Sequence, residues 1–324
     1  MARLEIQGGQ RLSGRIRAAG AKNSVIKLMA ASILFEAPIG LTNVPHLRDV
    51  KTMASLLEHM GATCVWNGSE GLSIAAGSLA ETQAPYHLVR TMRASFNVLG
   101  PLLARYGQAE VSLPGGCAIG TRPVDQHLAG LAALGASVEI ESGYVRASAE
   151  RGLVGTEFKF DFPSVGATEH VLMAAVLAKG QTRLLGCARE PEIVDLAAFL
   201  NQAGASIRGA GTSEIEVSGV GSLTPITYEV MSDRIEAATY LMAAIATGGE
   251  VAVDGLTFDH LPTVVEILRA TGVTVEKDKD AVAVSADVDC LTAQSFDTAP
   301  FPGFPTDLQA QMMVVNSLAS GRSH

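Results

Sequence analysis

The strongest constraint on this chain is a period. An apolar helix that stops at a glycine and runs into a strand occurs four times: Thr52–Met60 before Gly61, Leu128–Leu134 before Gly135, Val194–Ala203 before Gly204 and Thr263–Thr271 before Gly272. The glycines lie roughly 70 residues apart, the signature of a supersecondary unit used repeatedly. A second, more apolar helix opens near Lys22, Arg93, Ser164, Ser232 and Thr306 at the same spacing. Each repeat therefore reads helix, strand, turn, helix, strand, strand. The clearest copy comprises Ser164–Lys179, Gln181–Leu185, Glu192–Ala203, Ala205–Arg208 and Glu214–Ser218.

In that copy Ile215 and Val217 alternate with Glu214 and Glu216, as a sheet wetted on one face requires. The run Val171–Ala178 is apolar all round, which marks a helix buried on every side. Helices inside and mixed sheets outside predict an α/β fold of the α+β type, an inside-out barrel, not a doubly wound sheet. Interruptions at the small-residue stretch Ala18-Ala19-Gly20-Ala21 and at Ile226–Ser232 predict two domains. Residues 22–231 hold three repeats; residues 1–21 and 232–324 form the other. Thr306–Ser320 matches the first helix of a further repeat, so the second domain is expected to be C-terminally incomplete.

With 48% hydrophobic and 18% charged residues over 324 positions, disorder is excluded. The net charge of −9 disfavours nucleic acid and anionic membranes, while leaving a local cationic cluster free to hold an anionic small molecule. Val171–Ala178 is far short of the roughly 20 residues that span a bilayer. No apolar signal region follows Met1, and a cytoplasmic protein is the expectation. Cys64, Cys117, Cys187 and Cys290 form no C-x-x-C pair, so neither zinc nor a disulfide framework is expected.

Chemistry concentrates in the loop Leu113–Pro123, which carries three Gly and Cys117 and in which Pro114 and Gly115 lengthen a turn that is only Gly186-Cys187 in the third repeat. Cys117 is either a small turn residue or a presented thiol, whose pKa Arg122 and a nearby helix start would lower. The other three cysteines read as structural. Lys22 is a solvated lysine on base rates, but it stands beside Asn23 just after Gly20-Ala21 at the interdomain entry, where a cation can face a cleft. Asp307 follows Pro305-Thr306 and fits a helix N-cap as well as a base. Ser164-Val165-Gly166 begin a helix, whose free N–H groups suit diphosphate oxygens; a plain Ser cap reads equally well. His127 and His170 read as structural, and Asp233, Arg234 and Glu236 as cap and ion-pair residues.

Six stretches in order carry a resemblance: Gly20–Asn23, Arg90–Ser95, Pro114–Asp125, Ser164–Thr168, Arg189–Asp195 and Phe304–Asp307. Together they resemble the UDP-N-acetylglucosamine 1-carboxyvinyltransferase family, over essentially the whole chain. The resemblance implies an EPSP-synthase-like fold of two threefold-repeated domains. It implies transfer of the enolpyruvyl group of phosphoenolpyruvate to the 3′-hydroxyl of UDP-N-acetylglucosamine with release of phosphate, the first committed step of peptidoglycan synthesis. No metal or cofactor is implied.

By the same resemblance Lys22 and Arg122 clamp the phosphate and carboxylate of the donor, and Asn23 hydrogen-bonds a tetrahedral intermediate. Cys117 is the general acid to the methylene carbon, with covalent attack of its thiolate on phosphoenolpyruvate left open, and the site of alkylation by fosfomycin, on a loop acting as a lid; Asp307 is the base or proton acceptor for the hydroxyl. The nucleotide sugar meets Arg93, Arg122, Pro123, Val124, Asp125, Gln126, Ser164, Val165, Gly166, Thr306 and Asp307, in the cleft between the domains. Two alternatives stay open: a 5-enolpyruvylshikimate-3-phosphate synthase-type transferase, against which the thiol loop argues, and a non-catalytic fragment that retains nucleotide-sugar binding.

Overall fold

A computed structural model describes residue 3, residues 5–114 and residues 124–324. The four glycines that end the amphipathic helices all have left-handed backbones, with φ of +103° at Gly61, +94° at Gly135, +103° at Gly204 and +93° at Gly272. A side chain resists that conformation, which explains why glycine recurs where each helix must turn sharply into a strand.

The chain divides into two compact units, residues 20–231 and residues 1–19 with 232–324. In the larger unit the apolar helices Lys22–Ala31, Leu99–Tyr106 and Val165–Ala175 lie in the core. Every residue from Ala167 to Ala175 is buried, including Glu169 and His170. The expected helix from Ser164 to Lys179 is shorter: Ser164 is its N-cap, accepting from the Ala167 N–H at 3.4 Å, and regular helix ends at Ala175.

The sheets carry one more strand than the sequence pattern suggests. Gln181–Leu185 runs antiparallel to Glu214–Ser218, which pairs in turn with Ser206–Arg208. On its other edge Gln181–Leu185 accepts Glu157–Lys159, a parallel strand from the preceding repeat. Gln83–Ala84 joins Gln108–Ser112 in the same way, and Thr227–Glu229, from the end of the third repeat, joins Ile39–Thr42 of the first. The third repeat thus completes the sheet of the first, and the three repeats close on themselves. The added strands are two or three residues long, too short to display alternation.

The smaller unit repeats the plan once. Ser13–Arg17 lies parallel to Glu250–Asp254, which pairs with Ala281–Ser285 and through it with Thr274–Asp278. Helix Arg234–Ala246 and helix Gln309–Leu318 bring Ala237, Leu241, Met312 and Val315 into its core. Asp233 caps the first of these helices, accepting from Ile235 N–H and Glu236 N–H, as its position before the helix predicts.

Candidate active site

In the larger unit, Lys22 and Asn23 occupy the first turn of helix Lys22–Ala31, which has no side-chain cap. Lys22 Nζ lies 3.6 Å from Asp49 Oδ2, and both side chains are well exposed, so solvent screens the pair strongly. The turn is anchored by backbone: Ala21 N–H donates to Met231 O at 2.7 Å, and a side chain at Gly20 would run into Asn43 O. The buried face of this helix is tied down by polar contacts. Ser24 Oγ donates to Asp195, which also accepts from Tyr228 Oη at 2.8 Å, and Lys27 pairs with Glu169. Burial pushes the Asp195 carboxyl up from its ordinary range, against the pull of the two hydroxyl donors.

A second group of predicted residues gathers at the start of helix Val165–Ala175. Gln126 is buried; its Oε1 accepts from the Asp161 N–H at 2.7 Å and its Nε2 donates to Phe162 O at 3.3 Å. Gln126 therefore holds the segment that leads into Ser164. Val124 is buried and Asp125 exposed at the start of helix Asp125–Ala133. Val165 and Gly166 are in the first turn, ahead of the first intrahelical bond, Thr168 N–H to Ser164 O. The His127 ring edge lies over Gly166, where an added Cβ would stand 3.4 Å from Cε1 and 3.5 Å from Nε2. Arg93 opens the short helix Arg93–Val98, and its charge, with that of Lys27, reaches His127. Backbone N–H groups at a helix start with a cation nearby suit a diphosphate.

Thr306 and Asp307 lie in the smaller unit, in the short helix Thr306–Leu308, and both are exposed. Here the cap reading of Asp307 fails: Pro305 holds the cap position without a side-chain bond, and Asp307 sits inside the first turn. Cys117, Arg122 and Pro123 lie outside the described residues. Of the other cysteines, Cys187 is buried and Cys64 half-buried, and burial pushes both thiols up to about 12. Cys290 departs from the structural reading, being exposed, with Sγ 3.6 Å from Asp287 Oδ2 and its pKa raised by that carboxylate. None of the three is an activated nucleophile. Among the described residues no cluster suits a metal ion, and no helix is long and apolar enough to cross a membrane.

The sequence pattern missed Lys27 and Glu169, and it read His127 and His170 as structural without the bond between them. The available signal was a charged or imidazole side chain on helices otherwise too apolar to face water.

The family model for EPSP synthase (3-phosphoshikimate 1-carboxyvinyltransferase) matches residues 6–324. The chain belongs to that family, and its fold is the inside-out α/β arrangement of enolpyruvyl transferases. Among its relatives within the family are UDP-N-acetylglucosamine 1-carboxyvinyltransferases. That of Hyphomonas neptunium is 54% identical over all of this chain and 76% of its own, and that of Maricaulis maris 52% identical over all of this chain and 77% of its own. The enolpyruvyl transferase NikO from Streptomyces tendae superimposes with a TM-score of 0.85 at 24% identity, over 98% of this chain and 76% of that one. An EPSP synthase from Acinetobacter baumannii gives 0.67 at 19% identity, over 86% and 65%. These two likenesses concern the fold.

Proposed function

We propose that this chain transfers the enolpyruvyl group of phosphoenolpyruvate to the 3′-hydroxyl of UDP-N-acetylglucosamine, releasing phosphate, in the first committed step of peptidoglycan synthesis. The observation that carries the reading is the start of helix Val165–Ala175, where free N–H groups, Arg93 and the segment fixed by Gln126 converge. A diphosphate finds there the donors it needs.

In the proposed reaction the sugar oxygen bonds to C2 of phosphoenolpyruvate. Asp307 takes the hydroxyl proton, and the Cys117 thiol delivers a proton to the methylene carbon. Lys22 and Arg122 balance the phosphate and carboxylate charges, and Asn23 hydrogen-bonds the tetrahedral adduct. The methyl carbon then returns its proton to the thiolate while the C2–O bond to phosphate breaks, and the departing phosphate takes the proton held by Asp307, which restores both groups. Work on a soluble nucleotide sugar fits a cytoplasmic location.

The test is phosphate release by the purified chain with both substrates, before and after thiol alkylation, with shikimate 3-phosphate as the rival acceptor. Release that requires UDP-N-acetylglucosamine and is lost on alkylation is the expected outcome. Release with shikimate 3-phosphate instead overturns the reading.

A further inference from the structure

His170 and His127 form a chain of hydrogen bonds whose direction is fixed by the backbone. Gly100 N–H donates to His170 Nε2 at 2.7 Å, and a backbone N–H can only donate, so this nitrogen carries no proton. The proton of the neutral ring is then on Nδ1, which meets His127 Nδ1 at 3.0 Å. His127 Nδ1 must accept, and the His127 proton is left on Nε2. Burial and the charges of Arg93 and Lys27 oppose a second proton, holding His127 down at about 3. His127 is only 6% exposed, and among the described residues no group accepts from its Nε2–H. That N–H lies on the ring edge facing Gly166.

We infer that His127 is a third hydrogen-bond donor at the start of helix Val165–Ala175, giving its Nε2–H to a diphosphate oxygen of the bound nucleotide sugar beside the N–H groups of Val165 and Gly166. This rests on the proposed function for the identity of the ligand. His170 acts as a positioning residue that locks the tautomer. A neutral donor suits the place, because it satisfies an anion without adding a third cation to the half-buried Arg93 and the buried Lys27.

Nitrogen-15 NMR of the wild-type protein reads the tautomers directly. His127 protonated on Nε2 and His170 on Nδ1 is expected, and the reverse assignment overturns the inference. Titration with inorganic pyrophosphate and, separately, with UDP-N-acetylglucosamine is expected to shift the His127 Nε2–H resonance. A shift with pyrophosphate but no binding of the nucleotide sugar overturns the functional reading and leaves the donor role standing. No shift with either overturns the donor role. Calorimetry supplies the energetic arm: His127→Phe weakens UDP-N-acetylglucosamine by about tenfold to a hundredfold, the range for a hydrogen bond to a charged group, and His127→Gln recovers most of it. Unchanged affinity in a folded His127→Phe variant counts against the proposal.

Discussion

Lys27 and Glu169 meet in the core of the larger unit as an ion pair between helix Lys22–Ala31 and helix Val165–Ala175, with side-chain exposures of 10% and 0%. The second carboxylate oxygen of Glu169 has no hydrogen-bond partner among the described residues. The pair couples the helix that begins with Lys22-Asn23 to the one that begins at Ser164–Gly166, so the two halves of the candidate site in this unit share one buried contact.

Removing one member leaves the other charge buried alone. Lys27→Met is expected to destabilise the protein by about 3–5 kcal/mol, whereas Lys27→Met with Glu169→Leu recovers most of the loss because neither charge remains to be desolvated. Urea denaturation of the two variants checks this. Equal instability of the single and double variants would mean that the pair does more than neutralise itself.

Burial pushes the Glu169 carboxyl up, to about 7, and the neighbouring Glu190 and Glu192 add to that while Lys27 opposes it. The folded state therefore holds a proton over a pH range in which the unfolded chain has lost it. This contribution to stability is complete below the ordinary carboxylate pKa of about 4.5 and is lost as pH rises through about 7. The stability difference between wild type and Glu169→Gln should accordingly fall between pH 4.5 and pH 7. The depressed histidines are present in both proteins and cancel in the difference. A difference that grows over this window would mean that Lys27 outweighs burial.

Gly100 is required by close approach and not by its backbone angles. A Cβ there would stand 2.7 Å from His170 Cδ2 and 2.9 Å from both its Nε2 and its carbonyl oxygen. Gly100→Ala is expected to cost about 1–3 kcal/mol by overpacking and to disturb the histidine pair. Thermal unfolding gives the first effect and the histidine resonances the second; an unperturbed variant would show that the helices separate at little cost.

Much of the fold is legible in the sequence because its punctuation has a local cause. Gly61, Gly135, Gly204 and Gly272 each supply a left-handed residue at a helix end, and the apolar run Val171–Ala178 marks an interior helix from composition alone. What escapes is set by long-range pairing. Thr227–Glu229 is a strand only because Ile39–Thr42 lies beside it, and Lys27 finds Glu169 142 residues away. Polar side chains within apolar helices, such as Glu169 and His170, show no sign in one dimension of whether they are satisfied, orphaned or aimed at a ligand. Of the candidate site, the helix start at Ser164 follows from capping and the uncapped start at Lys22 from patterning alone, while the grip of Gln126 on Asp161 and Phe162 depends on loop geometry that no periodicity encodes.

Cys117→Ser replaces a polarisable acid with one that ionises far less readily. Under the proposed chemistry turnover should fall by about 10²–10⁴, the usual contribution of a positioned proton donor, and labelling by fosfomycin should disappear. Mass spectrometry of the treated protein reads the adduct. Because Cys64 and Cys187 are held protonated by burial and Cys290 by Asp287, persistent labelling of the variant would move the nucleophile to another residue type.

Asp307 offers the cleanest separation of chemistry from stability. Its short helix is held by Leu308, which is fully buried and donates its N–H to Pro305 O at 3.0 Å, while the Asp307 side chain is exposed and caps nothing. Asp307→Asn keeps the shape and removes the base, so stability should stay within about 0.5 kcal/mol. If Asp307 takes the proton of the sugar hydroxyl, kcat should fall by about 10²–10⁴ with little change in the affinity for UDP-N-acetylglucosamine, because a general base acts in the transition state and not in the ground-state complex. Steady-state kinetics with calorimetric binding distinguish the cases. A loss of affinity at unchanged kcat would make Asp307 a binding residue, and the proton acceptor would then have to be sought elsewhere.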